Sequence, residues 1–290
     1  IDSATRLCRS LGICASDEGV SDGDLDLLVA QTGATHVLGG EFDRAGGELT
    51  LKLSVQTVEN EPEIVSAVGP DGDFQEVIDD AIVRAIQHIS GAKGEHVRGA
   101  LRSARTTESL DAYLAVVRAR SAWAEGDVEG FEDEVSAAIR LDPFYVDPHQ
   151  VVAIAARALG DASREVLALR EVADVHGQAK RHHAQATALL FVGHALVEQG
   201  DWDEGKDAYE EAAGLFEMDD ELRGAVQAQM NIANVLLRQG DHEQAIEEYT
   251  VGMRRVQDYP SDRAKYAFNL GLALKETGDL EGAAARLEEA

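Results

Sequence analysis

Four small groups of residues have side chains suited to catalysis or metal binding, and each needs a particular setting. Gly19-Val20-Ser21-Asp22-Gly23 spells the G-x-S-x-G of a nucleophile elbow. That chemistry requires a buried strand just before the serine, so that a tight turn exposes its hydroxyl. The preceding Cys14-Ala15-Ser16-Asp17-Glu18 is a polar loop instead, and Ser21 reads as a helix cap with Asp24 three residues on. Asp22, Asp24 and Asp26 imitate the start of a calcium loop, but the sixth position is Leu27 where glycine must turn the chain, and the twelfth is Gly33 where glutamate belongs. They suit a first helical turn, where the macrodipole favours negative charge. His182-His183, beside Lys180-Arg181, would point about 100° apart on a helix and have no carboxylate close in sequence, so a wet loop or helix start is expected. Cys8 and Cys14 fit no zinc spacing and are too few for a disulfide framework. There is no phosphate-cradling glycine loop, no H-E-x-x-H and no kinase signature. The expectation is a non-catalytic chain with no metal and no cofactor.

Composition narrows the partners. The 290 residues carry a net charge of −28, which argues against nucleic acid and against anionic membrane surfaces. Only six residues are lysine, at 52, 93, 180, 206, 265 and 275, a bias that fits a salt-loving source and a GC-rich genome equally. Apolar content of 44% with 5% aromatics suits alanine-rich helix packing. No apolar run approaches the roughly 18–20 residues that span a bilayer, so no direct membrane insertion is expected. The start at Ile1 is polar and lacks an initiator Met, and Ala290 falls inside a repeat, so both ends are expected to be cut from a longer polypeptide.

Elements follow from periodicity. Leu7, Leu11 and Ile13 make a short amphipathic stretch, and a helix follows from Ser21 to Gly33. Thr35–Phe42 is a strand, Arg44-Ala45-Gly46-Gly47 a hairpin turn, and Leu49, Leu51, Leu53 and Val55 alternate with polar residues as a half-buried strand. Ile64–Val68 is a third strand. Pro70-Asp71-Gly72-Asp73 then breaks the chain before a helix over about 74–90, striped by Val77, Ile78, Ile82, Ala85, Ile86 and Ile89. The fold class is two-part, a small α/β (α+β) N-terminal domain and then an all-α solenoid of helical hairpins. The domains expected are 1–91, a linker over 92–106, and an array over 107–290 of about five hairpins with the last truncated.

The array is written in a recurring pattern. Gly200-Asp201, Gly240-Asp241 and Gly278-Asp279 each follow a small residue by seven positions: Gly193, Ala233 and Gly271. Five positions after each glycine stands Gly205, Ala245 or Ala283, and nine after it Tyr209, Tyr249 or Leu287. Glycine tolerates the left-handed conformation that ends a helix, and aspartate can cap the next. Looser copies surround Gly126-Asp127 and Gly160-Asp161, where Glu165 occupies a small-residue place. The Gly-Asp spacings of 34, 40, 40 and 38 imply longer helices or loops than the commonest repeat of this kind.

These positions together resemble the tetratricopeptide repeat (TPR). Gly33-Ala34-Thr35-His36-Val37-Leu38-Gly39-Gly40-Glu41-Phe42, with the alternating strand and closing helix, resembles the TolB-amino-terminal/FlgO-like domain. The pairing of the two resembles the C-terminal regions of bacterial eukaryotic-like serine/threonine kinases, adenylate cyclases and related regulators.

The TPR resemblance implies a groove lined by the first helix of each hairpin. Its inward positions would be Leu190 and His194 in one hairpin, and Gln227, Met230, Asn231, Asn234 and Arg238 in the next. The last hairpin would give Lys265, Phe268, Asn269 and Leu272. Asn231 and Asn269 hold the same register, where an amide in peptide-binding members bonds the ligand backbone through one donor and one acceptor. The other reading is an asparagine that simply meets water. Met230 and Phe268 would add an apolar patch, unless a neighbouring repeat covers them. Lys265 with Asn269 resembles part of the carboxylate clamp of chaperone-binding members, but Leu190 and His194 stand where that clamp needs Lys and Asn. The function expected is therefore a non-catalytic interaction or sensor scaffold of a bacterial signalling protein, binding a peptide or partner protein. The alternatives are regulation in cis of a kinase or cyclase domain, or self-association through the terminal repeat.

Overall fold

The computed structural model describes residues 37–56, 63–90, 98 and 107–290. The expectations for Cys8, Cys14, Ser21, Asp22, Asp24 and Asp26, and most of the linker, fall outside those residues. The chain divides into two compact units, Ile1–Asp111 and Ala112–Ala290.

In the first unit β1 (Val37–Ala45), β2 (Glu48–Gln56) and β3 (Glu63–Pro70) form an antiparallel meander in that order. The hairpin is tighter than the sequence suggested: Ala45 pairs with Glu48 across Gly46-Gly47 alone. Both glycines have positive φ, 62° and 83°, which a two-residue turn matched to strand twist demands. Leu49 and Val55 are buried, and across the ladder Leu49 faces Gly69 and Leu51 faces Ala67. A 3₁₀ turn over Asp71–Asp73 leads into α1 (Phe74–Ser90), whose Phe74, Val77, Ala81 and Ala85 are buried at helical spacing. A Cβ added to Gly69 would lie 2.8 Å from Val77 Cγ2, so helix and sheet meet closely there. The expected stripe is partly displaced, with Ile78, Ile82, Ile86 and Ile89 half-buried while Ala81 and Val83 are buried.

The second unit is ten helices in five hairpins: α2 (Leu110–Glu125) with α3 (Val128–Leu141), α4 (Asp147–Leu159) with α5 (Ala162–Gln178), α6 (His182–Gln199) with α7 (Trp202–Met218), α8 (Leu222–Gln239) with α9 (His242–Arg255), and α10 (Pro260–Thr277) with α11 (Leu280–Glu289). The 40-residue spacing goes into long helices, with α6 and α8 at 18 residues each, while the turns stay short. Every Gly of the Gly-Asp pairs has φ between 72° and 93°, the left-handed cap that stops the first helix. Asp127, Asp161 and Asp279 cap the second helix by accepting from the backbone N–H three residues on. Asp201 and Asp241 make no such bond, although their backbone conformation is similar.

The turns between hairpins lack the glycine. Lys180 and Asp220 sit there at φ 54° and 57°, in the region that costs a side chain roughly 1–2 kcal/mol. Lys180→Gly is expected to stabilise the array by a few tenths to about 1 kcal/mol, seen as a raised urea midpoint at unchanged m-value. A lowered midpoint would contradict this account of the turn.

The core is a series of overlapping clusters. One joins the first two hairpins around Phe131, Tyr145 and Val151. A second runs through Val172, Ala188, Ala212, Phe216 and Ala228. A third joins the last two hairpins around Ala233, Ala245, Tyr249 and Tyr266. The odd residue Glu165 is buried, at 6% exposure, and is held by Arg157 of the same hairpin, whose Nε donates to Oε1 at 2.6 Å. Among the described residues no helix is long and apolar enough to cross a membrane.

Candidate functional site

Each first helix buries most of its circumference and leaves one stripe in contact with solvent. Counting back from the helix-ending glycine, the open positions on α6 and α8 are 13, 9, 6 and 2 residues before it, the i, i+4, i+7, i+11 ladder of one helix face. The positions between them, such as Ala186, Ala188, Val192 and Ala195 on α6, are buried against neighbouring helices. The stripe is what the stacked hairpins leave free on this side; it repeats on α6 and α8 because their packing repeats, whereas on α4 the position nine before Gly160, Val151, is buried.

The expected site residues divide on this ladder. His194, Gln227, Arg238, Lys265 and Leu272 lie on the stripe exposed, and Asn231, Asn234 and Asn269 lie on it half-buried. Leu190 and Met230 do not. Leu190 is half-buried against core clusters, and Met230, 6% exposed, is part of the core between the last two hairpins. They stand ten residues before their glycines, a place that faces the following hairpin. Phe268 holds the same register and is 49% exposed, because α10 has no described hairpin after it. The apolar patch expected from Met230 with Phe268 is therefore not present as one surface.

Several stripe residues escaped the sequence reading. Phe191, next to Leu190, is 51% exposed in the register of Asn231 and Asn269. Ile154 on α4, at 60%, and Val117 and Tyr113 on α2 extend the stripe into the first two hairpins. Their glycines, Gly126 and Gly160, were identifiable, and the count of 13, 9 and 6 applied to them would have found these residues.

The amides differ in what they hold. Asn234 Oδ1 accepts from the Tyr249 hydroxyl at 2.6 Å, which ties α8 to α9 and commits that oxygen. Asn231 Oδ1 accepts a longer bond, 3.3 Å, from Gln227 Nε2 one turn earlier. Asp262 is nearly buried between cations: Arg223 Nε donates to it at 2.9 Å and Lys265 Nζ at 3.0 Å. These bonds, Arg223's first, hold its carboxyl below the usual carboxylate range. Burial pushes the Tyr209 hydroxyl up to about 12, with Arg238 nearby opposing and Glu198 adding to the shift.

His182 and His183 begin α6, as the sequence implied. Carboxylates absent from their sequence neighbourhood reach them from the next turn, with His182 Nδ1 3.2 Å from Asp219 and His183 Nδ1 3.9 Å from Glu221. Among the described residues no cluster of three or more metal-binding side chains forms. A shallow cavity of about 270 Å³, lined by Arg254, Arg263 and Arg286 among others, involves mainly second-helix residues and lies off the stripe.

Repeated helical hairpins with left-handed glycine stops, interlocked small-residue seams and one free first-helix stripe set the frame for comparison with known proteins. Residues 184–258 match the tetratricopeptide repeat family model. That match covers α6 through α9. A curated relative, the response regulator aspartate phosphatase J of Bacillus subtilis, is 27% identical over 93 residues, 32% of this chain and 25% of that protein. The chain thus spans about a quarter of the length of that curated relative. Among solved structures, BtubC from P. vanneervenii superposes with TM-score 0.49 at 16% identity, over 75% of this chain and 88% of that one. The TPR-like repeats of a putative kinesin light chain from Podospora anserina give 0.48 at 15%, over 62% and 94%. The MamA protein gives 0.46 at 16%, over 62% and 89%.

Proposed function

We propose that the chain is a non-catalytic docking scaffold whose tetratricopeptide array receives an extended peptide or a segment of a partner protein along the first-helix stripe. The observation that carries this reading is the stripe itself, with Asn231 and Asn269 held in one register on successive hairpins, 38 residues apart in sequence. An extended backbone offers a donor and an acceptor at regular intervals, and each asparagine amide can meet both. Fixed helices hold these amides in place before the ligand arrives, which lowers the entropic cost of binding.

The setting proposed is bacterial signalling. The similarity to a response regulator aspartate phosphatase supports it, as do the strand meander and closing helix that precede the array. In that setting the N-terminal unit resembles a TolB-amino-terminal/FlgO-like domain and would dock or orient the array.

The full chain, presented to a library of displayed peptides, is expected to retain sequences that the Asn231→Ala/Asn269→Ala variant loses. Equal retention by both proteins, or none by either, would end the groove reading and move the function to self-assembly or to action in cis within a longer polypeptide.

A further inference from the structure

The second helices of successive hairpins are tied to one another by an arginine on one and a glutamate on the next. Arg164 of α5 pairs with Glu132 of α3, Arg170 of α5 with Glu204 of α7 at 3.1 Å, and Arg255 of α9 with Glu217 of α7 at 3.0 Å. The pattern fails at the last meeting. Among the described residues no ion pair joins α9 to α11, and arginine faces the space between them from both sides, Arg254 from α9 and Arg286 from α11.

These two arginines line the cavity of about 270 Å³ together with Arg263 of α10, the Gln257 amide and the buried Leu270. No aspartate or glutamate lines it, in a chain of 54 acidic and 26 basic residues. Arg254 is exposed, and among the described residues it has no ion-pair partner. Arg263 and Arg286 share Glu289, which accepts from Arg263 Nε at 3.0 Å and from Arg286 Nη1 at 2.6 Å. Glu289 lines an adjoining hollow with Gln257 and Arg263. Asp258 and Glu288 are exposed and line neither space. Three guanidiniums against one carboxylate leave two positive charges unanswered at the cavity.

We propose that this cleft between α9 and α11 binds a phosphate group, as inorganic phosphate or a phosphate monoester, at a site separate from the first-helix stripe. Arg254 and Arg286 reach its oxygens from the two walls, Arg263 reaches them from α10, and Gln257 adds a neutral donor. A carboxylate brings two oxygens and one charge, which one guanidinium fork satisfies. A phosphate monoester brings three acceptor oxygens and nearly two charges at neutral pH, the match for what the cavity leaves unanswered. The cavity is smaller than the roughly 300–1,000 Å³ of pockets for drug-sized ligands, which suits a small oxyanion. Glu289 holds two of the three forks in place before a ligand arrives, which lowers the ordering cost of binding. The net charge of −28 repels anions from the rest of the surface, so uptake elsewhere on the chain is weak.

The test is a series of thermal melts of the full chain against rising inorganic phosphate, with chloride holding the ionic strength constant. Phosphate is excluded from protein surfaces and stabilises proteins generally, so the site is read from differences between variants. The wild-type chain and Arg140→Gln, which replaces an exposed arginine of α3, are expected to show a saturating rise in melting temperature above that general trend. Arg254→Gln should melt like the wild type without phosphate, because Arg254 is exposed and unpaired, and should need about tenfold more phosphate for the same rise. Arg286→Gln, which leaves Glu289 its bond from Arg263, should weaken the response as much from the opposite wall. O-phosphoserine in place of phosphate distinguishes the sources. A tighter response assigns the site to a phosphorylated side chain of a partner, a weaker one to free phosphate, and either upholds a phosphate site. An equal rise in all four proteins, a wild-type rise that never saturates, or acetate acting as well as phosphate overturns the proposal and leaves the groove reading untouched.

Discussion

Gly252→Ala is expected to destabilise the array by about 1–3 kcal/mol, Tyr266→Ala by about 3–5 kcal/mol, and the double variant by clearly less than their sum. The seam between successive hairpins is built from the residue twelve after one glycine and the residue twelve before the next. Between the third and fourth hairpins this pair is Ala212 and Ala228, both fully buried. Between the fourth and fifth it is Gly252 and Tyr266, the same seam filled by one large and one absent side chain. A Cβ at 252 would stand 2.1 Å from Tyr266 Cε1, which no packing tolerates. The ring cannot yield, because it is wholly buried, its hydroxyl donates to the Val226 carbonyl, and its plane is edge-on to Tyr249 at 6.4 Å. Removing the ring alone leaves a cavity and takes away the second bond to a carbonyl that the helix already satisfies. Adding the methyl at 252 fills part of that cavity and recreates the alanine seam of the preceding hairpin pair. Urea melts of the four proteins give the coupling, expected within about 0.5–3 kcal/mol. Strict additivity would mean that the two residues do not share the seam.

Ala245→Leu is the second large effect, about 1–3 kcal/mol of overpacking. Ala245 is 0% exposed within the cluster that holds Ala233, Tyr249 and Tyr266. Its counterpart one hairpin earlier shows how little room this position has. A Cβ on Gly205 would lie 2.6 Å from Val197 Cγ2 and 3.1 Å from the Gly193 carbonyl, so the helices already meet backbone to side chain. A leucine adds volume where an interior has none to spare. Where this register does hold a large residue, the hairpin is one of the two looser copies: Phe131 after Gly126, and Glu165 after Gly160, the latter ion-paired with Arg157. A thermal midpoint unchanged by Ala245→Leu would contradict the register on which every stripe position is counted.

The repeat was legible because glycine and alanine at fixed offsets leave a mark that survives single exceptions. In the three hairpins with all the small residues in place the first helices end at the expected glycines, and eight of the eleven expected groove residues lie on the solvent-facing stripe. What escaped was set by volume in three dimensions. Leu190 and Met230 are one position off the free stripe, and only the packing of the following hairpin distinguishes them from Phe191 and Asn231. Phe268 differs from Met230 only in lacking a described hairpin beyond it. The partners of His182 and His183 come from 37 and 38 residues away, beyond any local pattern. The hairpin at Gly46-Gly47 was foreseen, but its length was not, since Arg44 and Ala45 have no composition that forbids a strand.

The central claim is that the first-helix stripe is the docking surface, and titration calorimetry on the full chain addresses it most directly. A peptide retained from the displayed library is titrated into the wild-type chain and into Asn231→Ala/Asn269→Ala, after thermal melts show both folded. The account predicts at least a tenfold loss of affinity in the variant, about 1.4 kcal/mol or more, shared between two amides that each bond the ligand backbone. An affinity equal in both proteins would place the bound peptide off the stripe and contradict the account.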